Sequence, residues 1–450
     1  MHISPPPPPP LLLPLEDSTL INHHHQNNST HNSTLNSTLN STHNLTHELL
    51  IASLAIQRAS LLTKRVLQTL TSNNNPSPSP TTYPSTPVTG HPFFPSTTTC
   101  LNPSYDPSSR RLSIAKPDAS PVTIADFASQ ALLISTIHHH FPSDTFIGEE
   151  DSSSLRHNPD LCSQVFDLVS TTYLSDPAAE ALLGPRPGSI PEMLGLIDLG
   201  CGRGTRGKRC WSMDPIDGTS AFLKGEQYAV SLALLDGEGR ELMGLLGCPN
   251  LGIGVVVGGG RIEESEVDRE GWGVMLSAVR GEGCALVRSM GKAGLNKVVK
   301  RINRRKGKQR EIRTEELHFV DSRVSCATDS GMVEQLARRA GAGRTGERTE
   351  IYSSHMRYAA MVLGGREFVQ VRFPKRPKGE AAPWCVWDHA GSQLIYTESG
   401  AGKVTDLEGR PIDFGTGRKL TNNWGLITAD ESVHGKMLEL AGEVLKEAGR

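Results

Sequence analysis

The segment DPIDGT, residues 214–219, places two carboxylates three positions apart. The proline between Asp214 and Asp217 fixes one backbone angle, so both side chains can point at one site. Gly218 would let a ligand approach the backbone closely, and a short helix beginning at Thr219 would offer free N–H groups to an anion. This combination is typical of Mg²⁺ bound beside a phosphate ester. The alternative is a type I turn, which also favours Asp, Pro and Gly.

Two further acidic segments could supply ligands to the same cation. GEED (Gly148–Asp151) follows a predicted strand, and WDHAGSQ (Trp387–Gln393) places an aspartate before a helix of small residues. Either segment alone has a simpler explanation. An acidic turn is usually solvated, and an aspartate before a helix can serve as its N-cap.

The elements around these residues predict a layered fold. The residues CWSM before Asp214 indicate a strand, so that the aspartate would leave the sheet where loops gather. Apolar residues at helical spacing predict helices over Thr46–Leu70 and Thr123–Phe141. Residues 227–260 contain apolar runs separated by Asp-Gly, Pro and Gly turns, which is typical of consecutive strands. From about Leu317 helices and strands alternate, and the whole pattern predicts an α/β fold of the layered α+β kind.

Composition divides the chain into segments. Residues 1–46 are a low-complexity tract, which we expect to be disordered because it cannot bury enough apolar area. Residues 71–109 are rich in Ser, Pro, Thr and Asn and predict a mobile insertion. We expect an N-terminal α+β domain over 47–316 and a C-terminal α/β domain over 317–450. The basic run at about 291–313 contains no aromatic residue and is interpreted as a surface loop rather than a nucleic-acid site.

Global properties exclude several classes of function. The chain has 450 residues, a formal net charge of −2 and a pI near 6.8, so nothing indicates binding to nucleic acid or to an anionic membrane. Its eight cysteines form no C-x-x-C pair, which is consistent with a reducing compartment. No apolar run approaches the roughly 20 residues of a membrane span. No Lys or Arg precedes Arg58, which disfavours a secretory signal.

The order of the acidic segments resembles a known family. Gly-Glu-Glu, then Asp-Pro-Ile-Asp-Gly-Thr, then Trp-Asp-His-Ala is similar to the magnesium-dependent, lithium-sensitive phosphatases of the inositol monophosphatase superfamily. The stretches FLKGEQYAVSLALLDG, GCPNLG and PIDFGTGRKL resemble its 3′(2′),5′-bisphosphate nucleotidases, and especially their fungal branch. The resemblance covers the chain from about His47. It implies the alternating α-β-α-β-α sandwich of inositol monophosphatase and fructose-1,6-bisphosphatase.

The resemblance also implies roles for individual residues. The metal ligands would be Glu149, Asp214, the Ile216 carbonyl, Asp217 and Asp388, with Glu150 as a further candidate, and they would hold two or three Mg²⁺ ions. Asp126 and Thr219 would orient and activate the attacking water, although Asp126 also fits the capping box of a helix beginning at Thr123. The substrate would contact Gly218, Thr219, Ser354, Arg357, Arg372 and Asp388.

Three segments depart from the family pattern. Asp-His-Ala-Ala-Gly is replaced by DHAGSQ, which moves the glycine and brings in Ser392. A basic residue and a glycine that usually follow Asp-Gly-Thr are replaced by Ser220 and Ala221. A His-Ser-Ser-His stretch is replaced around RVSCATDS. None of these changes removes a metal ligand, but they leave the substrate preference open.

The resemblance therefore implies hydrolysis of a phosphate monoester by direct attack of water. The expected substrate is 3′-phosphoadenosine 5′-phosphate, with its sulfated form second, and the expected context is sulfate assimilation and salt tolerance. We expect a monomer in the cytoplasm or nucleus, with no nucleic-acid or membrane partner. Two alternatives stay open: an inositol phosphate or polyphosphate phosphatase on the same fold, and a catalytically weak relative that binds nucleotide.

Overall fold

A computed structural model describes residues 45–73, 113–115, 121–204, 206–294, 297–305, 310–322, 327–342, 348–380 and 384–450. The predictions of disorder over 1–46 and of a mobile insertion over 71–109 fall almost entirely outside these residues. The exceptions are the two ends of helix α1 (Thr46–Asn73), which begins inside the first segment and ends inside the second. Leu45–Arg450 form one compact unit.

The second long helix, α2 (Ile124–His140), begins as the sequence predicts. The Thr123 side chain accepts a hydrogen bond from the Ala125 N–H, and the Asp126 carboxylate accepts one from the Thr123 N–H at 2.8 Å. This reciprocal capping satisfies N–H groups that the first turn of a helix would otherwise leave unpaired. Before it, the short strands β1 (Ser113–Ala115) and β2 (Pro121–Thr123) form an antiparallel pair.

Helix α1 carries a buried cation. The Lys64 side chain is only 2% exposed, and its ammonium donates to the Pro249 carbonyl at 3.1 Å, to Asn250 Oδ1 at 2.8 Å and to the Asp268 carbonyl. An ammonium has three N–H donors, so this one is saturated. Burial nevertheless lowers the pKa of Lys64 to about 8. The lysine fixes α1 to two loops of the sheet below it.

The larger sheet has seven strands, arranged in chain order. The first two strands pair in parallel and all other neighbours are antiparallel. The strands are β3 (Thr145–Gly148), β4 (Cys210–Asp217), β5 (Ala229–Leu235), β6 (Glu241–Cys248), β7 (Val274–Val279), β8 (Ala285–Ser289) and β9 (Val298–Ile302). The basic segment 291–313 is therefore not a loop throughout, because β9 forms the edge strand of this sheet.

A second, mixed sheet has five strands in the order β11-β10-β12-β14-β13. Its strands are β10 (His318–Asp321), β11 (Arg348–Glu350), β12 (Phe368–Arg372), β13 (Lys403–Thr405) and β14 (Leu426–Ala429). All of these strands follow residue 316, so the domain boundary predicted at 316/317 coincides with the change from one sheet to the other. The division into two independent domains stays a prediction.

The remaining helices fill the loops and cover the sheets. They are α3 (Ser153–Arg156), α4 (Pro159–Thr171), α5 (Pro177–Leu182), α6 (Ile190–Leu199), α7 (Thr219–Lys224), α8 (Ile253–Gly258), α9 (Ser330–Arg339), α10 (Ser354–Leu363), α11 (Ser392–Glu398) and α12 (Glu431–Glu447). Among the described helices, none combines the length and the apolar character that crossing a membrane requires.

Alternation of side chains along the strands creates the layers. In β5, Val230, Leu232 and Leu234 join the core under α1 and α2, while the alternate residues face α10 and α11. In β12, Phe368 faces the same middle helices, whereas Val369 packs in the core under α9 and α12. The order is therefore helices, seven-stranded sheet, helices, five-stranded sheet, helices. This confirms the predicted five-layer α/β sandwich.

Candidate active site

The acidic turn leaves β4 where its pairing with β5 becomes irregular, between Asp214 and Asp217. Asp214 Oδ1 accepts a hydrogen bond from the Ile216 N–H at 3.1 Å, which bends the turn back on itself. Gly218 follows with φ +91°, a left-handed conformation that favours glycine. A Cβ at Gly218 would also lie 2.9 Å from Ser353 Cβ. The glycine thus lets the turn contact the segment before α10, and α7 begins at Thr219 as predicted.

Three carboxylates meet at this turn. One oxygen each of Asp214, Asp217 and Asp388 lies within 4.8 Å of the others, and within the described ranges this is the only such cluster of three or more potential metal-ligating side chains. Asp214 is 2% exposed and Asp217 7%. Asp388 arrives from the other half of the chain, in a single 3₁₀ turn (Val386–Asp388) before α11.

Burial and mutual repulsion act on these groups together. Burial, followed by the charges of Glu149, Asp217 and Asp388, raises the pKa of Asp214 well above its usual value. Burial, followed by Asp217 and Glu149, raises the pKa of Asp388 to about 6. Glu149 thus lies close enough to act on both aspartates, although its side chain is less buried. A set of buried and half-buried carboxylates that repel one another fits a hard divalent cation, which would offset the repulsion.

The predicted water-activating pair also lies at the turn. Thr219 Oγ1 is 3.4 Å from Asp126 Oδ1 and 3.1 Å from the Ile216 carbonyl oxygen. The other oxygen of Asp126 accepts hydrogen bonds from the Thr123 N–H and from its hydroxyl. The two interpretations of Asp126 are therefore compatible, because one oxygen caps α2 and the other faces Thr219.

Ser353 and His355 were missed by the sequence analysis. The Ser353 hydroxyl donates to Asp217 Oδ2, and the His355 N–H donates to the same oxygen at 2.6 Å. Ser353 also caps α10 by accepting from the Met356 N–H at 3.0 Å. The sequence signal was a pair of serines before an apolar helical run, which indicates a cap but not its carboxylate partner. The first turn of α10 thus holds Asp217 in place.

The two predicted substrate-binding arginines are buried beside the carboxylates. Arg357 donates through Nη1 to the Ile351 and Tyr352 carbonyls at 2.8 Å each and through Nη2 to Ser354 Oγ at 2.9 Å. Its Nε has no hydrogen-bond partner among the described residues. Arg357 is only 2% exposed, so it is not a surface residue. Ser354, the third predicted contact, serves as its partner.

Arg372 lies at the end of β12 with its guanidinium over the Trp384 ring, 5.1 Å from the ring centroid. Its Nε donates to Thr328 Oγ1 at 3.3 Å, and Nη1 is 3.4 Å from Nε2 of His389. Burial and the positive charge of Arg357 lower the pKa of Arg372 to about 10, against the raising effect of Asp388. The guanidinium groups of Arg357 and Arg372, which repel each other, thus lie beside the acidic cluster, whose carboxylates also repel one another.

Asp321, also missed, ends β10 near these arginines. It is 5% exposed, and its Oδ2 lacks a partner among the described residues. Its negative charge raises the pKa of both Arg357 and Arg372 against the effect of their burial. The sequence signal was an aspartate at the end of an apolar strand. It was overlooked because the replaced segment RVSCATDS begins just beyond it.

Arg418 joins the two halves of the site from outside. It donates to the Gly200 carbonyl at 2.7 Å and to the Glu149 carbonyl at 3.3 Å, and its guanidinium lies 4.5 Å from the Trp387 ring centroid. The stretch PIDFGTGRKL therefore ties the Glu149 loop to the residue before Asp388. Glu150, the further candidate ligand, is 3% exposed, and its backbone pairs with the Gln130 side chain.

Comparisons with known proteins agree on one family. The sequence model described as the inositol monophosphatase family matches residues 105–446. The chain is 35% identical to a 3′(2′),5′-bisphosphate nucleotidase of Schizosaccharomyces pombe over 331 residues, which are 74% of this chain and 86% of that protein. It is 34% identical to the protein of that name from Emericella nidulans, covering 74% of this chain and 91% of the relative.

A third relative, 3′(2′),5′-bisphosphate nucleotidase 2 of Candida albicans, is 30% identical over 88% of this chain and 96% of its own length. Among solved structures, an IMPase of Thermotoga maritima aligns with a TM-score of 0.41 and 18% identity, over 73% of this chain and 85% of that one.

Proposed function

This chain is a phosphatase of the inositol monophosphatase family, and we propose that its substrate is a nucleotide with phosphates at the 3′ (or 2′) and 5′ positions. The specific candidate is 3′-phosphoadenosine 5′-phosphate, which would give AMP and phosphate, and its sulfated form is the second. The observation that carries the proposal is the pair of buried arginines, Arg357 and Arg372, beside the acidic cluster. One phosphate can lie at the carboxylates with bound cations while the guanidinium groups bind the other.

The residues that would hold Mg²⁺ are Glu149, Asp214, the Ile216 carbonyl, Asp217 and Asp388. We propose two or three ions, in keeping with the number of carboxylates that converge. Bound Mg²⁺ would neutralise charge on the phosphate oxygens and lower the pKa of the attacking water.

Thr219 and Asp126 would handle the proton of that water. When the Thr219 hydroxyl donates to Asp126 Oδ1, its oxygen lone pairs are free to accept a hydrogen bond from the water. The water oxygen would then face the phosphorus, opposite the ester oxygen that leaves. As the new P–O bond forms and the ester P–O bond breaks, a proton would pass through Thr219 Oγ1 to Asp126 Oδ1, and the departing alkoxide would take a proton from solvent. Once Asp126 has returned its proton to solvent, the net change adds one water across the ester.

Arg372 would recognise the phosphate that does not react. Within the described part of the chain its hydrogen bonds are those to Thr328 and His389, which leaves N–H donors of a planar fork for an anion. Its burial at 6% exposure strengthens a charge-assisted contact. A substrate with a single phosphate cannot use this contact, so Arg372 would favour bisphosphate substrates.

Phosphate release from three substrates tests the proposal. Adenosine 3′,5′-bisphosphate, adenosine 3′-monophosphate and inositol 1-phosphate would be compared with wild type and with Arg372→Met. A contact between charged groups is worth about 1.5–3 kcal/mol, so we expect the variant to raise KM for the bisphosphate roughly ten- to a hundredfold. KM for the monophosphate should change little. Arg339→Met is the control, since the ion pairs of Arg339 within the described residues are with two glutamates of α12 at the surface.

Two results would contradict the proposal. A wild-type preference for inositol 1-phosphate would favour the inositol phosphatase alternative. Binding of the bisphosphate in calorimetry without hydrolysis of any substrate would favour a catalytically weak relative.

The family resemblance extends the proposal to cellular context. We propose a role in sulfate assimilation and salt tolerance, activity as a monomer in the cytoplasm or nucleus, and inhibition by Li⁺ and Na⁺. The inhibition is the part that purified protein tests directly. Phosphate release from the bisphosphate should fall when NaCl or LiCl is added, and should not fall with KCl at equal ionic strength.

A further inference from the structure

His355 touches three segments of the site at once. Its backbone N–H donates to Asp217 Oδ2, its Nε2 lies 2.7 Å from the Trp387 carbonyl oxygen, and its Nδ1 lies 2.7 Å from Ser392 Oγ. Both His355 and Ser392 are at most 1% exposed. A buried imidazole with a partner at each nitrogen is fixed in its ring plane as well as in its position.

The chemistry of the partners assigns the protons. A carbonyl oxygen only accepts, so Nε2 of His355 carries the hydrogen that binds the Trp387 carbonyl. Nδ1 of His355 and Oγ of Ser392 are 2.7 Å apart, which is shorter than the 3.2 Å from Ser392 Oγ to the His389 carbonyl oxygen. The ring and the hydroxyl are therefore hydrogen-bond partners, and the imidazole is held at both nitrogens.

These contacts enclose Asp388. Trp387 precedes it in the chain, and Ser392 begins α11 just after it, so His355 holds the segment on both sides of the aspartate. The same residue holds Asp217 through its backbone. Asp217 and Asp388 come from different layers of the fold, and their like charges repel. Without a fixed support on both sides, this repulsion would move the Asp388 segment away from the turn.

The residue before Ser392 is a glycine in a conformation that side chains rarely adopt. Gly391 has φ +86°, and a Cβ there would lie 3.2 Å from Ala233 Cβ and 3.3 Å from the Leu232 carbonyl oxygen. The glycine is thus required at 391, where the chain presses against β5. Position 392, where the family pattern has its glycine, is free to carry the hydroxyl.

We propose that His355 and Ser392 are a positioning pair, which fixes the Asp388 segment relative to Asp217 and so prepares the carboxylates for the cation. The pair touches neither substrate nor reacting atoms. The proposal rests on the proposed metal-dependent function, because its effect is on the affinity of the site for Mg²⁺.

Calorimetric titration of the full-length protein with Mg²⁺, without substrate, tests the pair. Ser392→Ala removes only the hydroxyl and should weaken Mg²⁺ binding at least tenfold, while KM for the nucleotide at saturating Mg²⁺ changes less than threefold. His355→Gln keeps a donor towards Trp387 but removes the ring nitrogen that pairs with Ser392, and should weaken Mg²⁺ binding on its own. In that background, adding Ser392→Ala should change Mg²⁺ affinity less than twofold, because the hydroxyl has lost its partner.

Ser399→Ala is the matched control. Ser399 is a fully buried serine at the other end of α11, and its hydroxyl donates to the Tyr396 carbonyl. Its loss should lower the melting temperature and leave Mg²⁺ affinity unchanged. A structural role alone would make Ser392→Ala behave in the same way.

Additive effects of the two substitutions, or Mg²⁺ affinity within twofold of wild type in Ser392→Ala, would overturn the pairing. If Ser392→Ala does not fold, unchanged Mg²⁺ affinity in His355→Gln overturns it instead. A wild-type protein that binds no Mg²⁺ would overturn the metal-dependent function itself, and the two failures are thereby distinguished.

Discussion

The ammonium of Lys64 and the carboxylate of Asp214 are buried, and the carboxylate of Asp388 is half-buried, yet their surroundings differ. Lys64 has three donors and three acceptors from two loops. The described hydrogen bonds to the two aspartates include one backbone N–H each, from Ile216 and Cys385, and burial with like charges raises both pKa values, although Arg372 opposes this effect at Asp388. The protein itself supplies an acceptor for every N–H donor of Lys64. The charge of the carboxylates, in contrast, would be balanced only when a cation binds from solution.

This difference separates structural from functional charge. A saturated charge contributes to the free energy of folding, and removing it leaves its partners unsatisfied. A cluster of carboxylates without enough partners opposes folding, because its like charges repel one another. Removing one carboxylate relieves that repulsion but abolishes the function. Saturation, rather than burial, therefore indicates which buried charge takes part in chemistry.

The largest expected effect is on activity, in Asp214→Asn. An amide is a poorer ligand for Mg²⁺, and metal binding supplies several kcal/mol to such reactions, so kcat/KM should fall roughly a thousandfold or more. The melting temperature in EDTA should stay the same or rise, because one of the repelling charges is gone. Phosphate release and differential scanning calorimetry measure the two effects.

Asp151→Asn is the control, since Asp151 is an exposed carboxylate two positions after Glu149 in the chain. It should leave both quantities unchanged. A strongly lowered melting temperature of Asp214→Asn in EDTA would mean that the cluster stabilises the fold, and the distinction from Lys64 would fail.

Lys64→Met should show the opposite pattern. Three acceptors lose their donor, so the free energy of unfolding should fall by about 2–4 kcal/mol. The folded variant should keep a kcat close to that of wild type. Urea denaturation measures the first quantity, and Lys436→Met, which removes an exposed ion pair with Glu439, should leave the free energy of unfolding close to that of wild type. If Lys64→Met lost activity while its free energy of unfolding stayed unchanged, Lys64 would have a functional role and not a structural one.

The smallest expected effect is on the pH dependence of stability, and it comes from a buried histidine that stays neutral. His434 of α12 is 3% exposed, with its Nε2 at 3.1 Å from Thr405 Oγ1, and burial lowers its pKa from 6.5 to about 4. The unfolded chain therefore binds a proton more readily than the folded one. The stability from the neutral ring is complete above pH 6.5 and is lost as pH falls from 6.5 to 4, so that the effect near neutral pH is small.

His434→Gln cannot titrate, so its urea stability should decline less than that of wild type over this pH range. The difference between the two proteins isolates the histidine from the carboxylates near the turn, which titrate in the opposite sense. Equal pH dependence in both proteins would show that this ring is protonated as easily in the folded state.

Residues adjacent in sequence were the easiest to predict. Asp214, Asp217 and Thr219 lie within six positions, and their turn chemistry is visible without any tertiary structure. The strand before them and the two long helices followed equally from local patterns. Asp388 was identified only by resemblance, because a single aspartate before small residues carries no spacing signal.

Contacts between distant segments explain what the sequence did not show. Nothing in the sequence around Ser353 and His355 indicates that both donate to Asp217, since the close approach of α10 to Gly218 depends on the packing of two sheets. The burial of Arg357 has the same origin. The strand β9 was hidden by its basic residues, which an edge strand can expose on its open side.

The sandwich arrangement also has a consequence for how the protein folds. The carboxylates come from β4 and from the turn before α11, with most of both sheets lying between them in the chain. Contacts so far apart in sequence form late, because long loops must close before they can be made. During refolding we therefore expect helical content and burial of aromatic residues to recover first. The ability to bind Mg²⁺ should be the last property to return, because it requires that all five layers are packed together.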